Sequence, residues 1–157
     1  MNAPYHGKEI PVQTMTDAEL LGYMCSHKLA VVSTIGGDGQ PQSAYVGVAT
    51  TDSFNVVFDT VSTSRKHANL LRDPRIAVTF AAAAAAQTLQ YEGVAFPVST
   101  TDPRDAAHRE DYYRAWPDGR ARLKWPDLAY WRISPRWLRY SDFDRGPLIV
   151  ERRFDGG

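Results

Sequence analysis

Residues Ser62-Thr63-Ser64-Arg65-Lys66 place three hydroxyls and two adjacent cations where an apolar β-type stretch (54–60) hands over to a helix-type stretch (64–72). A helix N-terminus exposes unpaired backbone N–H groups and a partial positive charge, so it attracts anions. Cations in that first turn oppose the dipole, and a bound anion would turn the penalty into a gain. Neighbouring hydroxyls can complete the hydrogen-bond shell of a phosphate, and a guanidinium can grip it bidentately. The alternative is an ordinary solvated cationic face, and these residues alone weigh the two about equally.

Other chemistries find less support. The four histidines, His6, His27, His67 and His108, are scattered, without the spacing of a zinc site. There is no nucleophile elbow of the Gly-x-Ser-x-Gly type and no Walker loop. The glycine-rich "GGDGQP" (36–41) reads as a hairpin turn. Asp142 and Asp144, beside Ser141 and Gly146-Pro147, read as turn caps rather than an acid–base pair. His67 is the one titratable group next to the cations and reads as a solvated helix residue. The run "RARLK" (120–124) reads as surface charge. The single Cys25 excludes an internal disulfide. With 18 acidic and 18 basic residues the chain carries no net charge, which argues against a nucleic-acid binder. No apolar run approaches the roughly 18 residues that span a bilayer, and "MNAPYHGKEIPVQ" lacks a signal-peptide layout. The expectation is a soluble cytoplasmic protein with no membrane, nucleic-acid or metal partner.

The elements that must position the hydroxyl–cation turn follow from periodicity and punctuation. Residues 1–157 read as one domain with an extended arm over 1–13. Thr16-Asp17-Ala18-Glu19 has capping-box spacing and opens a helix to about His27. "LAVVSTI" (29–35) and "SAYVGVATT" (43–51) form a hairpin, and 54–60 gives a third strand. Asp73-Pro74 stops the helix that begins at Ser64, because proline cannot continue it. Strands follow at 75–80 and 88–99. Asp102-Pro103 opens a third helix that runs to about Trp116. Two closing strands, near 128–134 and 136–143, are separated by Pro135. Hairpins in succession favour a mainly antiparallel barrel over a parallel sheet. Ala81 to Ala86, six alanines between two strands, contradict their surroundings by propensity and read as placeholders for other side chains.

In order and spacing, "LAVVSTIGGDGQP", "FNVVFDT", "SRK", "HANLLRDP", "RIAVTF" and "TLQYEG" resemble the pyridoxamine 5′-phosphate oxidase-related family of FMN-binding proteins, in its small general-stress-protein-like branch. "WRISPRWLRYSDF" is similar to the last strands of small members. The resemblance implies a mainly β protein with flanking helices, a six- to seven-stranded antiparallel split β-barrel. It also implies a homodimer with flavin at the subunit interface. On that basis Ser64, Arg65 and Lys66 hold the FMN phosphate, Phe58, Asp59 and Thr60 lie along the cofactor, and Gln87 and Thr88 join them. The strand 43–50 runs beside the ring, with Tyr45, Trp116, Trp131 and Trp137 as candidate walls.

The implied activity is an oxidoreductase that passes a hydride between a nicotinamide or small organic substrate and flavin. No catalytic acid or base can be named from the residues. Departures from the pattern are Ala44 and Ala49, where true pyridoxamine-phosphate oxidases carry basic residues, and the missing C-terminal substrate segment. Pyridoxamine-phosphate oxidation is therefore not expected. The alternatives are a flavin-binding or storage module without dedicated catalysis, an F420-dependent reductase of the same superfamily, and a haem-binding relative for which no histidine is well placed.

Overall fold

The computed structural model describes residues 14–82, 85–144 and 147–155, so the proposed arm over 1–13 lies outside the described residues. β1 (Leu29–Ile35) pairs with β2 (Pro41–Thr50) from Leu29↔Gly47 to Ile35↔Pro41. The intervening turn closes through Gly36 N–H to the Gln40 carbonyl at 2.8 Å, and Gly39 supplies the positive φ of 82°. β3 (Val56–Val61) lies beyond β2, and β4 (Arg75–Ala81) flanks β1 on its other edge. β5 (Gln87–Val98), β6 (Leu128–Asp142) and β7 (Leu148–Arg153) follow. The sheet order is β3-β2-β1-β4-β5-β6-β7, and pairing of β3 with β6 closes six of the strands into an antiparallel barrel. The fold class is thus the one expected.

Three local expectations change. The two closing strands around Pro135 are one strand, β6, whose first half pairs with β3 and whose second half pairs with β7. Pro135 does not break it because it sits at a bulge: Glu92 faces Trp137 while Gly93 faces Pro135, leaving Arg136 as the extra residue. β7 was not foreseen, since its charged second half, Glu151-Arg152-Arg153, masks a short strand. Finally, 120–124 is surface charge as expected except at Arg122, which is partly buried; the run belongs to a 3₁₀ helix, Pro117–Lys124, folded onto α3 (Ala106–Ala115).

Alternation decides what each strand residue does. Val32, Val48, Val56, Phe58, Phe80, Leu89, Trp131 and Ile133 point inward, and α1 (Asp17–Ser26) inserts Leu20 and Met24 among them. The capping box starts this helix, with the Glu19 N–H donating to Thr16 Oγ1 at 3.2 Å and the Thr16 N–H to Glu19 Oε2 at 2.7 Å. A second cluster forms on the outside, where Tyr112 and Tyr113 of α3 cover Ala49, Val57 and Tyr130. No helix among the described residues is long and apolar enough to cross a membrane.

Candidate functional site

The turn after β3 brings Arg65 and Lys66 to one cleft. Ser64 caps α2 (Arg65–Arg72), its Oγ accepting from the His67 N–H at 3.3 Å. Thr60 Oγ1 lies 3.0 Å from Ser64 Oγ and accepts from Lys66 Nζ at 3.1 Å. α2 is held against the hairpin by Asn69, only 5% exposed, which donates to Thr34 Oγ1 and to Gln42 Oε1, each at 2.9 Å. These anchors leave a cleft of ≈ 240 Å³ walled by Thr34, Gln42, Ser43 and Ala44 of the hairpin and by Arg65 and Lys66 of α2.

Both cations in the cleft lack an acidic partner at bonding distance. The Arg65 side chain forms no ion pair or hydrogen bond with any described residue. Burial lowers the pKa of the Lys66 ammonium, an effect that the Asp59 carboxylate partly offsets. Asp59 itself lies on the opposite face of β3 from Thr60, as neighbours on a strand must. There its Oδ2 accepts from Arg122 Nε at 2.8 Å. Arg122 also pairs with Asp118 at 2.7 Å and donates to the Tyr112 hydroxyl at 3.0 Å.

The remaining expected residues are spread over the barrel. Phe58 is fully buried in the core, with β2 on one side and β6 on the other, and presents no accessible surface to a ligand. Tyr45 is 68% exposed on the outside of β2, opposite Val31. Gln87 and Thr88 stand at the start of β5, separated from β2 by β1 and β4. The Gln87 amide donates to Asp142 Oδ2 at 2.9 Å. Trp116 packs on β2: its Nε1 donates to the Val48 carbonyl at 3.0 Å, and a Cβ on Gly47 would sit 3.0 Å from its Cζ2. Trp131 is inside the barrel, 1% exposed, and its Nε1 donates to His67 Nδ1 at 3.1 Å. Contrary to the solvated reading, His67 therefore packs against an indole as a neutral imidazole, and burial lowers its pKa. Asn69, Thr34 and Gln42 were missed. Their signal was a polar residue on the apolar side of α2 and two polar residues at inward strand positions.

Among the described residues no group of three or more His, Cys, Asp or Glu side chains could hold a metal ion. The two cations of the cleft, with Thr60 and Ser64 beside Lys66 and the helix N-terminus, form a donor set suited to a phosphate monoester.

No curated protein matches the chain. Solved structures share the fold. They include a haem-binding protein from Mycobacterium smegmatis, with 18% identity and a TM-score of 0.74 over 90% of this chain and 60% of that one. The chain thus spans 60% of that protein's length, under two thirds of it. The conserved hypothetical protein Rv2991 from Mycobacterium tuberculosis has 24% identity and a TM-score of 0.69, over 96% of this chain and 98% of that one. General Stress Protein 26 from Bacillus anthracis has 18% identity and a TM-score of 0.67, over 88% and 98%. At these identities the likeness concerns architecture, and descent is carried by the sequence profile. The profile for pyridoxamine 5′-phosphate oxidase matches residues 16–142, from the cap of α1 to the end of β6, and to that family the chain belongs.

Proposed function

We propose that the protein is an FMN-binding flavoprotein, active as a homodimer, that serves as an oxidoreductase. The observation that carries this reading is the cleft at the start of α2, lined by Arg65 and Lys66, where Lys66 reaches Thr60 beside Ser64 and no carboxylate of a described residue binds either cation. Uncompensated cations at a helix N-terminus are costly unless an anion joins them. Arg65 and Lys66 would hold the phosphate, and Thr60 and Ser64 would fill its remaining acceptor sites. The outer edge of β2 from Ala44 to Val48 would carry the ring, with Trp116 closing one end over Gly47. Bound flavin would supply hydride exchange with a nicotinamide or small organic substrate. The chain's part is to orient the ring and exclude water. A second copy accounts for Gln87 and Thr88, which on one chain are two strands away from β2 and could meet the cofactor only across an interface.

The Ala44 and Ala49 positions leave the ring strand without a cation, and His67 Nδ1 is engaged by Trp131. These two features favour, as a second reading, a flavin-holding module with no dedicated acid or base. The cleft would also accept the phosphate of F420.

Titration of the purified protein with FMN, riboflavin, F420 and haemin separates these readings. Tight FMN binding with reduction by NADH or NADPH supports the enzyme, and tight binding without reduction supports the holder. The double variant Arg65→Ala/Lys66→Ala should weaken FMN by about 10²- to 10⁴-fold, from two charge-assisted contacts of about 1.5–3 kcal/mol each. Riboflavin, lacking the phosphate, should change little. Equal losses for both ligands would remove the phosphate assignment, and preference for haemin would replace the flavin.

A further inference from the structure

A second, larger cleft of ≈ 530 Å³ opens beside the first, lined by residues of β1, β4, β5 and β6 and by Pro41 of β2, and the two share Thr34. Its apolar surface comes from Ile35, Ala77 and Val94, and its charges are Arg75, Glu92 and Arg136. Arg75 is already held, donating from Nε to Asp73 Oδ1 at 2.9 Å and from Nη2 to Oδ2 at 2.6 Å. Arg136 and Glu92 form no ion pair with any described residue.

Arg136 reaches the cleft through a backbone irregularity. It is the extra residue of the bulge opposite Glu92 and Gly93. Gly93 is obligatory at that point, because a Cβ there would collide with the Ser134 carbonyl and the Ile133 side chain. Bulges re-aim side chains and recur beside functional sites. Here the irregularity brings Arg136, exposed and without an ion pair among the described residues, to the lining of a cleft with apolar walls, the combination that binds an amphipathic anion.

The geometry points to a binding site for a small apolar monocarboxylate, its hydrocarbon body on Ile35, Ala77 and Val94 and its carboxylate on Arg136. Glu92 on the same wall repels a second negative charge and so disfavours dicarboxylates. The site uses neither Arg65 nor Lys66 and stands whether or not the first cleft holds flavin.

Calorimetric titration with 2-naphthoate tests it, with 2-naphthamide as the uncharged analogue. Naphthoate should bind the full chain better than the amide. Arg136→Ala should weaken naphthoate about ten- to hundredfold, as loss of one charge-assisted contact predicts, and leave the amide unchanged. Glu92→Gln should tighten naphthoate several-fold, and Val94→Trp, which fills the floor, should abolish binding. Arg65→Ala/Lys66→Ala should bind naphthoate as the wild type does, so failure of the phosphate cleft cannot mimic failure here. Should Arg136→Ala fail to fold, Arg136→Lys keeps the charge but loses the fork, and an intermediate loss is expected. The proposal is overturned if naphthoate does not bind, if Arg136 and Glu92 variants bind it unchanged, or if Val94→Trp instead dissociates a dimer, which would make the cleft a contact between copies.

Discussion

Adjacent residues of β3 serve opposite electrostatic arrangements. On one face, Asp59 binds Arg122, whose side chain is 20% exposed and which also meets Asp118 and the Tyr112 hydroxyl. On the other face, Thr60 contacts Lys66, and Arg65 beside it has no partner among the described residues. The first cation is saturated and ties the 3₁₀ helix to the barrel. The second pair, Arg65 and Lys66, is left without a carboxylate partner among the described residues at a helix N-terminus, where the dipole opposes it. Saturated charge is what a fold needs from a partly buried arginine, and unsatisfied charge is what a binding site retains. The two faces should therefore separate cleanly into stability and affinity.

Arg122→Ala tests that separation with the largest effect on folding. It leaves the Asp59 carboxylate, 17% exposed, without its cation and removes the Tyr112 contact. Loss of one partner from a well-buried pair costs about 3–5 kcal/mol, and partial exposure here brings the expectation to about 2–3 kcal/mol in urea denaturation. Arg65→Ala should stay within about 0.5 kcal/mol of wild type, because it breaks no contact in the folded chain. If Arg65→Ala were the more destabilising, the two faces would have been assigned the wrong way round.

Asn69→Ala sharpens the comparison from the side of the cleft. Its amide bonds Thr34 and Gln42, and Arg72 donates to its Oδ1 at 3.0 Å, so removal strands several half-buried polar groups. The expected loss is about 1–3 kcal/mol of stability. Because these bonds hold α2 on the hairpin, affinity for a phosphate should fall as well. A variant that loses stability yet keeps full phosphate affinity would show that the cleft does not depend on this anchor.

What could be read beforehand was the information carried by local pattern. The strand at 29–35, the stop at Asp73-Pro74 and the cap at Thr16 each rest on a few contiguous residues, and each stands within a residue or two of its expected place. Information that depends on pairing was hidden. Nothing within "ISPRW" announces that Gly93, forty residues earlier, accepts Pro135 into one unbroken strand. In the same way "RARLK" shows charge but not the carboxylate across the fold that neutralises its Arg122. The cluster Ser64-Arg65-Lys66 was legible because it sits in one turn, whereas Thr34, Gln42 and Asn69 come together from three elements. Alternation could also have divided Asp59 from Thr60, since adjacent strand residues cannot share a face.

The smallest expected effect concerns His67, next in sequence to the cations but facing the core. Its Nδ1 accepts from the Trp131 indole, so the imidazole must be neutral, and burial lowers its pKa from the ordinary value. A histidine whose folded pKa is depressed adds stability that is complete above its unfolded value of about 6.5 and fades as pH falls through the lower folded value. Carboxylates held low by arginine, such as Asp73 at about 2 beside Arg75, lose their contribution only in a more acidic range. A window just below pH 6.5 therefore isolates this group. Wild-type denaturation midpoints should fall across it while those of His67→Phe stay flatter, with Trp131 fluorescence changing over the same interval in the wild type alone. Parallel slopes for the two proteins would mean that the indole–imidazole bond carries no titrating load.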